Sequence, residues 1–141
     1  MNKDITYSNK APEPVGEYPH ARKVENFIYL SGIGPRVHGQ KEIPGVVLDE
    51  NKNVLKYDFE KQCHSVFKNV KNVLSDAGLD WDDLIDVTVY LTNMKDDFKT
   101  YNRIYKNYFK KNKPCRTTLG ISSLPTPIAI ELKCIAYKGK R

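Results

Sequence analysis

The chain has 141 residues, 40% hydrophobic and 28% charged, which suits one domain (1–141) with a real core and leaves two domains cramped. No apolar run is long enough to span a membrane, and the polar start MNKDITYSNK lacks the apolar centre of a secretion signal, so a cytoplasmic protein is expected. The net charge of +6 comes mainly from lysines scattered among aspartates, which reads as a solvated surface, and no RNP-like aromatic motif or GXXG loop argues for nucleic acid.

In chain order, a loop containing APEPVGEYPHA precedes a short apolar strand, Asn26 to Gly32, which ends in Ser-Gly. The following stretch is rich in turn formers, and within it VVLDENKNVLKY reads as a small hairpin or an extended excursion around Asp-Glu-Asn-Lys-Asn. A first helix starts at Asp58, a good N-cap. It carries Cys63, Val66, Phe67, Val70, Val73 and Leu74 at helical spacing and ends at Gly78. LIDVTVYLT then alternates as a half-buried strand, with Ile85, Val87, Val89 and Leu91 on one face and Asp86, Thr88, Tyr90 and Thr92 on the other. A second helix is expected from about Asp96 to Lys110, its stripe formed by Phe98, Tyr101, Ile104, Tyr105, Tyr108 and Phe109, and that stripe is assigned to packing. Two strands, Arg116 to Ile121 and Ile128 to Tyr137, complete the chain.

This order implies an α+β sandwich in which both helices cover one face of a single mixed sheet. The three cysteines, Cys63, Cys115 and Cys134, include no C-x-x-C pair, so packed, reduced thiols are expected rather than disulfides or a zinc site. His38 and His64 have no partners at metal-ligand spacing, and no metal is expected.

The last two strands read as a hairpin closed by SSLPTP. Strand side chains alternate between faces, so Arg116, Thr118 and Gly120 share one face of the first strand and Glu131 and Lys133 one face of the second. If the apolar sets of both strands lie under the helices, Arg116, Thr118 and Glu131 converge on the helix-free face, with Thr118 opposite Glu131. The same face would carry Gly120, Ala129, Ile135 and Tyr90. Such a cluster is either a solvent-facing ion pair or a site, and a face of mixed polarity commonly packs against another subunit.

The stretch PCRTTLGISSLPTPIAIELKCIAYK resembles the C-terminal signature of the Rid/YjgF (reactive intermediate deaminase) family. That signature has an arginine after a short Pro-x dipeptide, a Leu-Pro turn and an apolar strand with an embedded glutamate. GEYPHA stands where that family has G-P-Y-S-Q-A, FIYLSG matches its strand ending in Ser-Gly, and NMKDDFKTYNRIYKNYF is similar to its second helix. Pro-His after the aromatic residue, the long excursion before the first helix, RTT and the final AYK resemble the 2-aminomuconate deaminase branch.

The resemblance implies a chorismate-mutase-like fold and a homotrimer whose sheets line a central barrel, with sites in clefts between subunits. It also implies cofactor-free hydrolysis of an enamine or imine of a small amino-carboxylate to a keto acid and ammonia. Carried over by position, Arg116 is the carboxylate clamp, a role that suits the guanidinium fork, and Glu131 manages the attacking water and the proton. Tyr18, Ser31, Gly32, Phe98, Asn102 and Thr118 match positions around the ligand. Thr118 stands where many members have cysteine, so thiol chemistry at that position is excluded. His20 is either a titrating group beside the site or a satisfied loop histidine. A keto-acid-binding trimer without turnover and an RNA-directed activity stay open as alternatives.

Overall fold

The computed structural model describes residues 3–139. Its strands are β1 (Ile5–Thr6), β2 (Ala21–Val24), β3 (Phe27–Leu30), β4 (Val46–Leu48), β5 (Val54–Tyr57), β6 (Leu84–Leu91), β7 (Cys115–Gly120) and β8 (Ile130–Tyr137). The helices are α1 (Phe59–Asp76) and α2 (Met94–Tyr108), with a single 3-10 turn at Trp81–Asp83 before β6. Six strands form one mixed sheet in the order β1-β2-β3-β8-β6-β7, while β4 and β5 pair with each other as a separate ribbon.

Both helices begin on side-chain caps. Asp58 accepts a hydrogen bond from the Lys61 N–H, and Asn93 accepts one from the Asp96 N–H, so each satisfies a free amide of a first turn. Gly78 follows α1 at φ +77°, a conformation that side-chain-bearing residues rarely adopt. The α1 stripe anticipated from the sequence is buried throughout, and from α2 Tyr101, Ile104 and Phe109 join it. Phe67 lies at the centre of this layer, its ring centroid 4.3 Å from that of Tyr108 and 6.0 Å from that of Trp81.

The two C-terminal strands are not a hairpin. β6 lies between them, antiparallel to β8 and parallel to β7. A parallel pair needs a long crossover, and α2 provides it between β6 and β7. The loop after β7 then passes over the end of β6 to enter β8. Consequently Glu131 pairs with Tyr90, not with Thr118.

Register also changes which face Arg116 occupies. Arg116 pairs with Val87 and Thr118 with Val89, and both valines are fully buried beneath the helices. Arg116, Thr118 and Gly120 therefore lie on the helix-covered face, where a Cβ on Gly120 would sit 3.4 Å from the Met94 side chain of α2. Leu119, expected inside, is 42% exposed on the open face. Ala129 precedes β8 and is buried, whereas Ile135 and Tyr90 do lie with Glu131 on the open face.

Two smaller differences have local causes. The β6–β8 pairing shifts between Leu84 and Asp86, so Leu84 takes the inner place and Ile85 turns outward at 40% exposure. β2 escaped detection because Ala-Arg-Lys-Val has no apolar alternation; only Ala21 of the four is buried. Among the described residues no helix is long and apolar enough to cross a membrane. The open face carries Phe27, Tyr29 and Tyr137, each about 40% exposed, with the Phe27 and Tyr137 rings edge to face at 5.1 Å.

Candidate active site

At the end of β3 the chain runs from Leu30 through Ser31 and Gly32 and bridges to β8 through Ile33 and Leu132. A cavity of about 140 Å³ opens there, and Tyr18, Ser31, Gly32, Arg36 and Glu131 are among the residues that line it. Each wall is tied to something rigid. Ser31 donates its backbone N–H to the His20 carbonyl at 3.0 Å and its hydroxyl to the Pro19 carbonyl at 2.6 Å, which fixes the strand end against the loop carrying Tyr18. The Tyr18 hydroxyl accepts from the Val15 N–H at 3.2 Å, and the tyrosine is 36% exposed.

His20 is a satisfied loop histidine. Its Nδ1 accepts the Ser8 N–H at 2.9 Å and its Nε2–H donates to the Pro12 carbonyl at 2.7 Å, which defines the neutral Nε2–H tautomer. Ser8 in turn donates its hydroxyl to Asp76 at the end of α1, 2.5 Å away. The ring thus latches the loop to the helix layer while lining the cavity beside Ser31.

Gly32 and Glu131 meet closely. A Cβ placed on Gly32 would lie 2.6 Å from Glu131 Oε2, so only glycine leaves the carboxylate its position. Burial pushes the Glu131 carboxyl above the ordinary glutamate range, and the positive charge of Arg36 pulls part of the way back. A carboxyl perturbed in this direction can hold and release a proton closer to neutral pH.

The other anticipated residues are elsewhere. The Arg116 guanidinium lies over the rings of α2, 4.7 Å from the centroid of Tyr105, 5.6 Å from Tyr101 and 6.0 Å from Phe98. Such cation–π contacts are worth on the order of 1 kcal/mol each and fix the direction of a long side chain. Asn102 is half-buried one turn beyond Phe98, and Thr118 follows Arg116 on the same strand face. Among the described residues, the buried Thr118 Oγ1, the Tyr101 and Tyr105 hydroxyls and Gln62 Nε2 have no hydrogen-bond partner. β7 is the edge strand of the sheet, so this cluster is presented at a border of the subunit.

The eight candidate residues therefore divide into two groups. Tyr18, Ser31, Gly32 and Glu131 share the cavity. Phe98, Asn102, Arg116 and Thr118 belong to the β7–α2 edge, on the opposite face of the sheet from Glu131. Arg36 was missed, although it is one of only five arginines in a lysine-rich chain and follows the Ser-Gly strand end closely. Cys63 and Cys134 are buried as expected, and burial holds the Cys134 thiol up at about 12, but Cys115 is exposed on β7 rather than packed. His64 donates to or accepts from the Tyr108 hydroxyl at 2.7 Å, and His38 Nδ1 lies 3.1 Å from Glu13.

Comparison with known proteins places the chain in a family. The family described as endoribonuclease L-PSP matches residues 8–138. The chain belongs to the Rid/YjgF family. This Rid/YjgF chain is 37% identical to a RutC family protein of Pyrococcus abyssi over 98% of its own length and 99% of that protein. It is 33% identical to the 2-iminobutanoate/2-iminopropanoate deaminase of Mus musculus, covering 96% of itself and 91% of the relative. The crystal structure of E. coli TdcF with bound serine superposes with a TM-score of 0.81 at 28% identity, covering 96% of this chain and 98% of that one. The α+β arrangement with two helices on one sheet face is thus the Rid/YjgF fold.

Proposed function

We propose that this protein is a cofactor-free deaminase that hydrolyses the imine or enamine of a small amino-carboxylate, 2-aminomuconate-like or 2-aminoacrylate-like, to a keto acid and ammonia. The observation that carries the reading is the division of the candidate residues into a cavity holding Glu131 and a subunit edge holding Arg116. Neither half suffices alone. A homotrimer that sets the β7–α2 edge of one subunit against the cavity of the next completes the site, and the exposed aromatic face of the sheet gives such an assembly apolar surface to bury. The activity in the name of the mouse relative and the serine bound by TdcF point to the same ligand class, a small molecule with a carboxylate beside a C–N bond.

In this reading Arg116 grips the substrate carboxylate through two parallel charge-assisted hydrogen bonds, and its ring contacts pre-set the fork. An enamine first takes a proton on carbon to become the iminium. Glu131 accepts a proton from water as the water oxygen bonds to the iminium carbon. It then returns that proton to the carbinolamine nitrogen, and as the C–N bond breaks the regenerated carboxylate takes the hydroxyl proton and passes it to the departing ammonia, so the products are the keto acid and ammonium. The raised affinity of Glu131 for a proton suits both halves of this exchange. The test is ammonia release from freshly generated 2-iminopropanoate or 2-aminomuconate. Turnover that falls by about 10²-fold or more in Arg116→Ala supports the assignment. Saturable keto-acid binding without turnover identifies a binding protein instead.

A further inference from the structure

We infer that Arg36 gives the cavity a second carboxylate-binding position, so that the substrates are small imino-dicarboxylates; this rests on the deaminase reading above. Arg36 lines the same cavity as Glu131 and Tyr18, and its charge is felt by the Glu131 carboxyl. Among the described residues none of the contact ion pairs involves Arg36, and its charge acts only at longer range on the Glu13 and Glu131 carboxyls. The Glu13 carboxylate lies 3.1 Å from His38 Nδ1 and accepts the Gly39 N–H at 3.3 Å. Arg36 spends one Nη2 donor on the Glu13 backbone carbonyl at 2.7 Å, which leaves most of a five-donor fork for a ligand.

The backbone under Arg36 is held from α1. Asn69 donates to the carbonyls of Gly34 at 2.8 Å and of Arg36 itself at 2.7 Å, and Ser65 donates to the carbonyl of Pro35 at 2.7 Å. Asn69 is buried in doing so. An arginine that served only as a surface charge would not call for three hydrogen bonds fixing its loop. A half-buried arginine on a pinned loop, in contact ion pair with no protein carboxylate among the described residues and lining the cavity beside the proposed catalytic glutamate, is built to receive an anion. Arg116 takes the carboxylate adjacent to the C–N bond, so the anion left for Arg36 is a second carboxylate at the far end of the same small molecule.

The experiment compares 2-iminoglutarate with 2-iminobutanoate, which lacks only the distal carboxylate, each generated in situ by an amino-acid oxidase. Both are measured on the full-length protein and on Arg36→Ala and Arg36→Lys. A charge-assisted hydrogen bond of about 1.5–3 kcal/mol predicts a loss of kcat/KM of roughly 10- to 100-fold for 2-iminoglutarate in Arg36→Ala. The loss for 2-iminobutanoate, compared on the pH plateau of each protein, should be at least about tenfold smaller than that for 2-iminoglutarate, with partial recovery for 2-iminoglutarate in Arg36→Lys. Equal losses for both imines, or a parent enzyme no better on the dicarboxylate, would overturn the assignment. In parallel, 2-oxoglutarate and 2-oxobutanoate are titrated calorimetrically into parent and Arg36→Ala. If neither imine is hydrolysed but 2-oxoglutarate binds in an Arg36-dependent manner, the deaminase reading fails while the second carboxylate position stands. If 2-oxoglutarate binds parent and variant alike, Arg36 is no carboxylate site.

Discussion

Glu131 and Arg116 project from opposite faces of one sheet: Glu131 pairs with Tyr90 across β6 and β8, and Arg116 pairs with buried Val87 across β6 and β7. No rotamer change carries either side chain through the sheet. The two residues on which the proposed chemistry depends therefore cannot meet within one chain, and the proposed site would join them from two copies of the protein.

The contact between Gly32 and Glu131 makes a sharp prediction. A methyl group at position 32 would sit 2.6 Å from Oε2, and the carboxylate would have to swing away. Gly32→Ala should lower kcat by roughly 10- to 100-fold, the scale of a misplacement of about 1 Å in a catalytic group. The thermal midpoint should change little, because Gly32 is exposed and the moving group is a single side chain. Unchanged steady-state kinetics in a folded Gly32→Ala protein would show that the position of Glu131 is not critical.

A second prediction concerns pH. Burial raises the Glu131 carboxyl and Arg36 opposes that rise. The deprotonated form is the base, so activity is present above the folded-state pKa and is lost as pH falls through it. The acidic limb of kcat/KM should thus lie above the ordinary glutamate value of about 4.3. Removing the positive charge in Arg36→Ala should move the limb to still higher pH. The stability consequence has the opposite sign: a raised carboxyl favours the folded state most when protonated, and that contribution is lost as pH rises through the folded pKa. Glu131→Gln should therefore abolish turnover while leaving the thermal midpoint at neutral pH equal to or above that of the parent. An acidic limb below the ordinary range would contradict this account.

Much of the architecture is legible in the residues. α1 announces itself through Asp58, a buried stripe and Gly78, and the aromatic repeat of α2 marks its packing face except at Phe98, which is exposed rather than packed. The alternation in β8 gives the correct split of Ile130 and Leu132 from Glu131 and Lys133. Alternation defines which residues share a face, however, and not which face that is. Arg116 looked like a solvent-side residue because arginine beneath a helix layer is costly without compensation. The tyrosine and phenylalanine rings of α2 provide that compensation, and they lie at an edge where the guanidinium keeps access to the outside. Nor does a strand pair joined by a short segment have to be neighbours. The loop between β7 and β8 spans the width of one intervening strand, a distance of about 10 Å that it covers easily. Arg36 was overlooked because nothing local distinguishes a cavity arginine from a turn arginine until Asn69 and Ser65 are seen holding its loop.

The central claim is that each catalytic site joins Glu131 of one subunit to Arg116 of another. Arg116→Ala and Glu131→Gln can be purified separately, each inactive, then denatured together in equal amounts and refolded into mixed assemblies. A composite site predicts that about a quarter of the parental ammonia-releasing activity returns, because in a random mixture that fraction of interfaces pairs an intact Glu131 with an intact Arg116. If the co-refolded mixture is as inactive as the separate variants while mixed trimers demonstrably form, the two residues do not share a site between subunits.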